Sequence, residues 1–98
     1  MVSGIIRETI IKKQIIEFTY ERLIRIAEPH ILYTRNGILR LLVFQIRGQR
    51  ESGKLPDWLD VLVSKIHNLR VLDEHFAGPR DTKSEMDRNY DTIVESVK

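Results

Sequence analysis

The sequence predicts a mainly β chain with flanking helices, folded as one small SH3-like or Sm-like antiparallel barrel. Three observations carry that expectation. Ile16, Phe18 and Tyr20 alternate with Ile15, Glu17 and Thr19 as in a half-buried strand. The dipeptide Asn36-Gly37, which tolerates positive φ at both central turn positions, precedes the long apolar stretch 38–47. The remaining strand candidates follow one another through short connections, which favours an antiparallel, strongly curved sheet. With 98 residues there is room for a single core, and closing the sheet would remove its exposed edges.

Taken in order, residues 1–13 place Ile5, Ile6 and Ile10 on one helical face with charges opposite, predicting a short N-terminal helix. The barrel is expected over 14–76. Residues 14–20 form its first strand, Glu21-Arg22 a tight connection, and 23–27 the second. Pro29 belongs at a bend or on an edge, because it has no N–H to give to a ladder. Residues 30–35 run into the Asn36-Gly37 turn, and 38–47, apolar on both faces, read as a central strand. Residues 48–57, with two glycines and a proline, are a long loop. Residues 58–66 carry both signals. Trp58, Leu62, Ile66 and Leu69 have helical spacing, while Val61 and Val63 favour strand. Residues 69–72 are one more strand, closed before Gly78-Pro79. Ser84-x-x-Asp87 has the form of a capping box, and Met86, Tyr90, Ile93, Val94 and Val97 share one helical face. A C-terminal helix is therefore expected over 84–97.

Composition excludes several chemistries. There are no cysteines, so disulfides, thiolate metal sites and cysteine nucleophiles are out. His30, His67 and His75 lack metal-ligand spacing, and no Walker lysine or nucleophile elbow is present. A non-enzyme without metal or cofactor is expected. No apolar run is long enough to span a bilayer and no signal-peptide core opens the chain, so no membrane association and a cytoplasmic location are expected.

The formal net charge is only +2, but it is uneven. Residues 1–56 carry ten Lys/Arg against five Asp/Glu, and residues 57–98 carry six against nine. The stretch 22–50 holds six arginines, no lysine and one acid, Glu28. Arginine's planar fork suits phosphate and carboxylate, so this stretch is either an anion-binding face or a solvated sheet surface. Arg25 and Arg40, on neighbouring strands, are the candidates to converge on one anion. His30 is a candidate donor to an anion or base, or a structural residue at a bend. Gln45, polar in an apolar strand, reads a ligand edge or satisfies a backbone group. Trp58 stacks a base or plugs the core. Lys65 contacts phosphate or is simply solvated.

These residues also fall into a family-like order: Ile16-x-Phe18-x-Tyr20, Arg25-x-x-Glu28-Pro29-His30, Gly37, Leu39-Arg40-Leu41, Gln45-x-x-Gly48, Trp58 with Val63 and Lys65-Ile66, Leu69-x-Val71-Leu72 and Phe76. This order resembles the WYL domain family, particularly its small stand-alone members, over about residues 14–79. The resemblance implies an SH3/Sm-like barrel and a regulatory, ligand-binding role towards nucleotides or nucleic acid. It matches Arg25 to the family's arginine before the proline and Lys65 to the basic residue before the isoleucine. The naming tripeptide aligns with Leu39-Arg40-Leu41, where neither its Trp nor its Tyr is present. The expected partner is accordingly an anionic ligand, a nucleotide or single-stranded nucleic acid. The alternative is a homodimer, or docking on a larger regulatory protein, through the C-terminal helix.

Overall fold

The computed structural model describes residues 2–81 and 90–98. One helix, α1 (Val2–Lys12), leads into β1 (Gln14–Tyr20), β2 (Leu23–Arg35), β3 (Ile38–Gly48), β4 (Asp57–Leu62), β5 (His67–His75) and β6 (Thr92–Ser96). A single 3-10 turn, Val63–Lys65, separates β4 from β5. The described residues are thus mainly β, antiparallel, with one short helix. No described helix is long and apolar enough to cross a membrane.

The strand order is β4-β3-β2-β1-β5, with β6 also paired to β2. β2 is the spine. β3 runs beside it from Arg25↔Gly48 to Arg35↔Ile38. On its other edge β1 pairs from Ile16↔Ala27 to Tyr20↔Leu23, and β6 takes over from Ile31↔Ser96 to Thr34↔Thr92. Between these two partners lie Glu28, Pro29 and His30. Pro29 has no N–H to contribute, and a register shift at Pro29/Ile31 leaves His30 as the extra residue of a bulge.

The two edges of the ladder, β4 and β5, are joined by only Val63–Ile66. In a flat sheet they would stand four strand spacings, about 19 Å, apart. Four residues including one 3-10 turn reach about 13 Å. The sheet is therefore curled, and the Leu62 N–H donates to the Tyr20 hydroxyl, 3.1 Å away, from β4 to β1. The ladder itself stays open, since no backbone pairing joins β4 to β5. Inside the curl Ile16, Phe18, Tyr20, Ala27, Leu32, Leu41, Val43 and Val61 form the core, and α1 lays Ile6 and Ile10, one turn apart, onto it.

Both tight turns expected from the sequence are present. Asn36 (φ 52°) and Gly37 (φ 75°) join β2 to β3, and Glu21 (φ 53°) and Arg22 (φ 66°) join β1 to β2. The second places two non-glycine residues in the left-handed region. Residues 58–66 resolve into strand followed by the 3-10 turn, and the strand read at 69–72 extends over His67–His75. The expected C-terminal helix is corrected. Thr92–Ser96 is a strand, because the free edge of β2 at Ile31–Thr34 offers backbone partners and the β-branched Thr92-Ile93-Val94 suits them. The part of that expectation at 84–89 lies outside the described residues.

Gly48 (φ 93°) closes β3 so tightly against β2 that an added Cβ would sit 2.4 Å from the Ile24 carbonyl oxygen. Gly48→Ala is expected to lower stability by more than about 1 kcal/mol in urea unfolding; an unchanged midpoint would contradict this close approach. Replacing Glu21-Arg22 by Asn-Gly is expected to raise stability by about 1 kcal/mol, since it relieves left-handed strain. Loss of stability in that variant would show that the two side chains contribute more than their backbone costs.

Candidate functional site

The residues singled out from the sequence divide between three places. Arg25 lies on the core side of β2, in register with Phe18, and is only 3% exposed. Its Nε–H and Nη2–H donate to the Tyr20 carbonyl (3.3 and 3.1 Å), and its Nη1–H donates to Gln45 Oε1 (3.3 Å). Gln45, fully buried on β3, spends its amide group on the carbonyls of Arg47 and Gln49. It satisfies backbone groups at the end of the sheet and still presents its oxygen to two arginines. Arg50, from the loop after β3, donates to the same Oε1 (3.4 Å) and to the Trp58 carbonyl (2.9 Å). A hollow of about 240 Å³ opens here, lined by Glu21, Arg25, Arg50, Glu51, Ser52 and Leu59. The carboxylate paired with Arg25, Glu21 at 3.7 Å, is 63% exposed. Burial pushes the Arg25 pKa below its usual value and Arg50 adds to that effect, against Glu21 and Glu51. It stays charged at neutral pH regardless.

Arg40 is not in this hollow, which corrects the expected convergence with Arg25. It is in register with Tyr33, on the face opposite Leu41 and Val43. There its Nε–H donates to Asp60 Oδ1 (3.2 Å), and the Tyr33 hydroxyl donates to Asp60 Oδ2. Desolvation alone would lower the Arg40 pKa, but the hydrogen bond and charge of Asp60 outweigh it and raise it. Arg47 is likewise committed, its Nη2 lying 2.7 Å from Glu74 Oε2. Lys65 is exposed on the 3-10 turn, beyond the opposite end of β4 from Trp58, and has no ion pair among the described residues.

His30 and Trp58 come together on the same face as Arg40. Their ring centroids are 4.9 Å apart, edge to face; Phe76 stacks on His30 at 5.3 Å, and Phe44 meets Trp58 at 5.0 Å. Trp58 is packed into this cluster rather than held out for a base. Beside it the buried Glu28 carboxylate accepts two hydrogen bonds from Arg80, 2.7 and 2.9 Å. Arg50, Glu28, Phe44, Phe76 and Arg80 were not among the sequence candidates. Arg50 lay within the arginine stretch, and Glu28 shares its sequence neighbourhood with His30. Arg80 left no signal beyond its place after Gly78-Pro79.

Both nitrogens of His30 are used. Nδ1 lies 2.9 Å from the Glu28 carbonyl and Nε2 accepts the Arg80 backbone N–H at 3.3 Å. One neutral tautomer satisfies both contacts, with the proton on Nδ1. Burial holds its pKa below the ordinary histidine value, with Glu28 opposing and Arg80 assisting. As pH falls below about 6.5 the unfolded chain takes up this proton first, so stability falls until the native imidazole also protonates. In urea unfolding at pH 7.5, 6.5 and 5.5 the wild type is expected to lose more stability than His30→Gln over that window. The two proteins differ only at residue 30, so the difference between their profiles reports His30. Parallel pH profiles would place the loss elsewhere.

No family model matches this chain, and comparison with curated proteins and with solved structures returns no match.

Proposed function

We propose that this chain is a non-enzymatic regulatory module that binds an anionic group in the Arg25–Gln45–Arg50 hollow. One observation carries the reading: a guanidinium that is 3% exposed shares an amide oxygen with a second one, while its paired carboxylate stands exposed at 3.7 Å. A buried charge is costly unless closely paired, and a phosphate or carboxylate entering the hollow would supply a counter-charge nearer than the exposed Glu21 through charge-assisted hydrogen bonds. Left-handed Glu21 and Arg22, next to the hollow, support the same place, because backbone strain concentrates at ligand clamps.

The WYL-like order of residues agrees with this reading, in which the curled sheet is an open SH3/Sm-like barrel and the ligand a nucleotide or the phosphate of a single strand. The binding set is Arg25, Gln45 and Arg50. Arg40 belongs to a structural pair, and His30 and Trp58 belong to the aromatic cluster. A second reading, self-association or docking on a larger protein, draws on Ile93 (50% exposed) and Val94 (41% exposed) of β6. Light scattering of the full chain separates the two.

Titration with inorganic phosphate, a nucleoside monophosphate and a short oligonucleotide, at low and high salt, tests the proposal. Binding is expected to weaken with salt. Arg50→Ala should lower affinity by about tenfold or more, the loss of a charged hydrogen bond, while Arg40→Ala should leave it unchanged. Absence of salt-dependent binding to all three probes, or equal losses from Arg50→Ala and Arg40→Ala, overturns it.

A further inference from the structure

On the other face of the sheet, independent of the anion hollow, we propose a binding site for a guanidinium group, occupied in this chain by its own Arg80. The receptor half is built on three paired strands. Glu28 is on β2 and Phe44 on β3, in register with each other, and Trp58 on β4, in register with Phe44, fixes the Phe44 ring edge to face. The Glu28 side chain is 4% exposed. Arg80 meets it with a bidentate fork, 2.7 and 2.9 Å, and lays its guanidinium carbon 4.4 Å over the Phe44 ring. A carboxylate aligned beside an aromatic face matches both the donor geometry and the charge of a guanidinium, and a lysine ammonium matches neither as well.

The ligand half comes from a segment outside the sheet. The Arg80 side chain is 48% exposed, and residues 76–81 form no strand pairing. This strap is tied by the Phe76 N–H to the Lys13 carbonyl and by the Arg80 N–H to His30 Nε2. Glu28 and residues Ala77–Asp81 line a hollow of about 450 Å³ beside the pair, within the size range of small-ligand sites. A buried carboxylate whose partner is half-exposed, on an unpaired strap, and next to open volume is a site that an incoming arginine side chain can take by exchange. The occupant is the arginine of a partner polypeptide. Its apparent affinity for the wild type is its intrinsic affinity reduced by the fraction of chains in which Arg80 has left.

Free L-arginine is the probe, with L-lysine and sodium chloride as controls. The readouts are the thermal midpoint of the full chain and the fluorescence of Trp58, the one tryptophan. Arg80→Ala is expected to bind L-arginine saturably, at a concentration at least tenfold below that needed by the wild type, and to ignore L-lysine. Adding Glu28→Gln to that variant should abolish the response. Should Arg80→Ala not fold, Arg80→Lys, which keeps a cation but loses the fork, takes its place with the same expectations. A response matched by lysine, one that survives Glu28→Gln, or none in the Arg80 variant overturns the proposal.

Discussion

A single extra residue, His30, decides which side chains meet. Strand side chains alternate between faces, so a one-residue bulge sends everything beyond it to the opposite side. Before the bulge Arg25, Ala27 and Pro29 share the core side of β2. After it Leu32 is on the core side, and Tyr33, with its register partner Arg40, faces away. Without the bulge Arg25 and Tyr33, eight residues apart, would share a face, and Arg40 would have joined Arg25. A second register shift at Ile26/Ala27 leaves one extra residue on β3, so that Arg25 comes opposite Gly48 at the far end. The same interruption divides the edge of β2 between β1 and β6 and leaves room at Glu28–His30 for the strap from β5.

This explains what was legible in the sequence and what was not. The helix of Ile6 and Ile10, both two-residue turns and the β1 alternation are local patterns, and each survives folding intact. Gln45 was noticeable because an amide in an apolar strand must have partners. A bulge has no such local signature. Pro29 marked the place, but not which neighbouring residue would be extra, so the pairing of Arg25 with Arg40 failed on parity alone.

The C-terminal segment failed for a different reason. Tyr90, Ile93, Val94 and Val97 fit a helical face by spacing, yet three of these four are β-branched, a composition that fits a strand equally well. The choice was made by something distant in sequence, the uncovered backbone of Ile31–Thr34. Arg80 was invisible for a similar reason. A lone arginine after Gly78-Pro79 gains its role only because Glu28, 52 residues away in sequence, is buried facing it.

The two faces solve their charge problems in opposite ways. On the outer face Arg40 meets Asp60 and Arg80 meets Glu28, each carboxylate largely buried, so the charges are neutralised where the dielectric is low and attraction strong. At the Arg25 hollow the buried partner is the cation, and the carboxylate is the exposed one. Water and salt screen Glu21 far more than they screen Arg25, so the two members of the pair do not offset each other equally. Arg50 repeats the arrangement, with its own side chain more buried than its partner Asp57 at 3.7 Å. The asymmetry is a matter of which member of the ion pair the fold buries: a carboxylate at the Arg40 and Arg80 pairs, a guanidinium at Arg25.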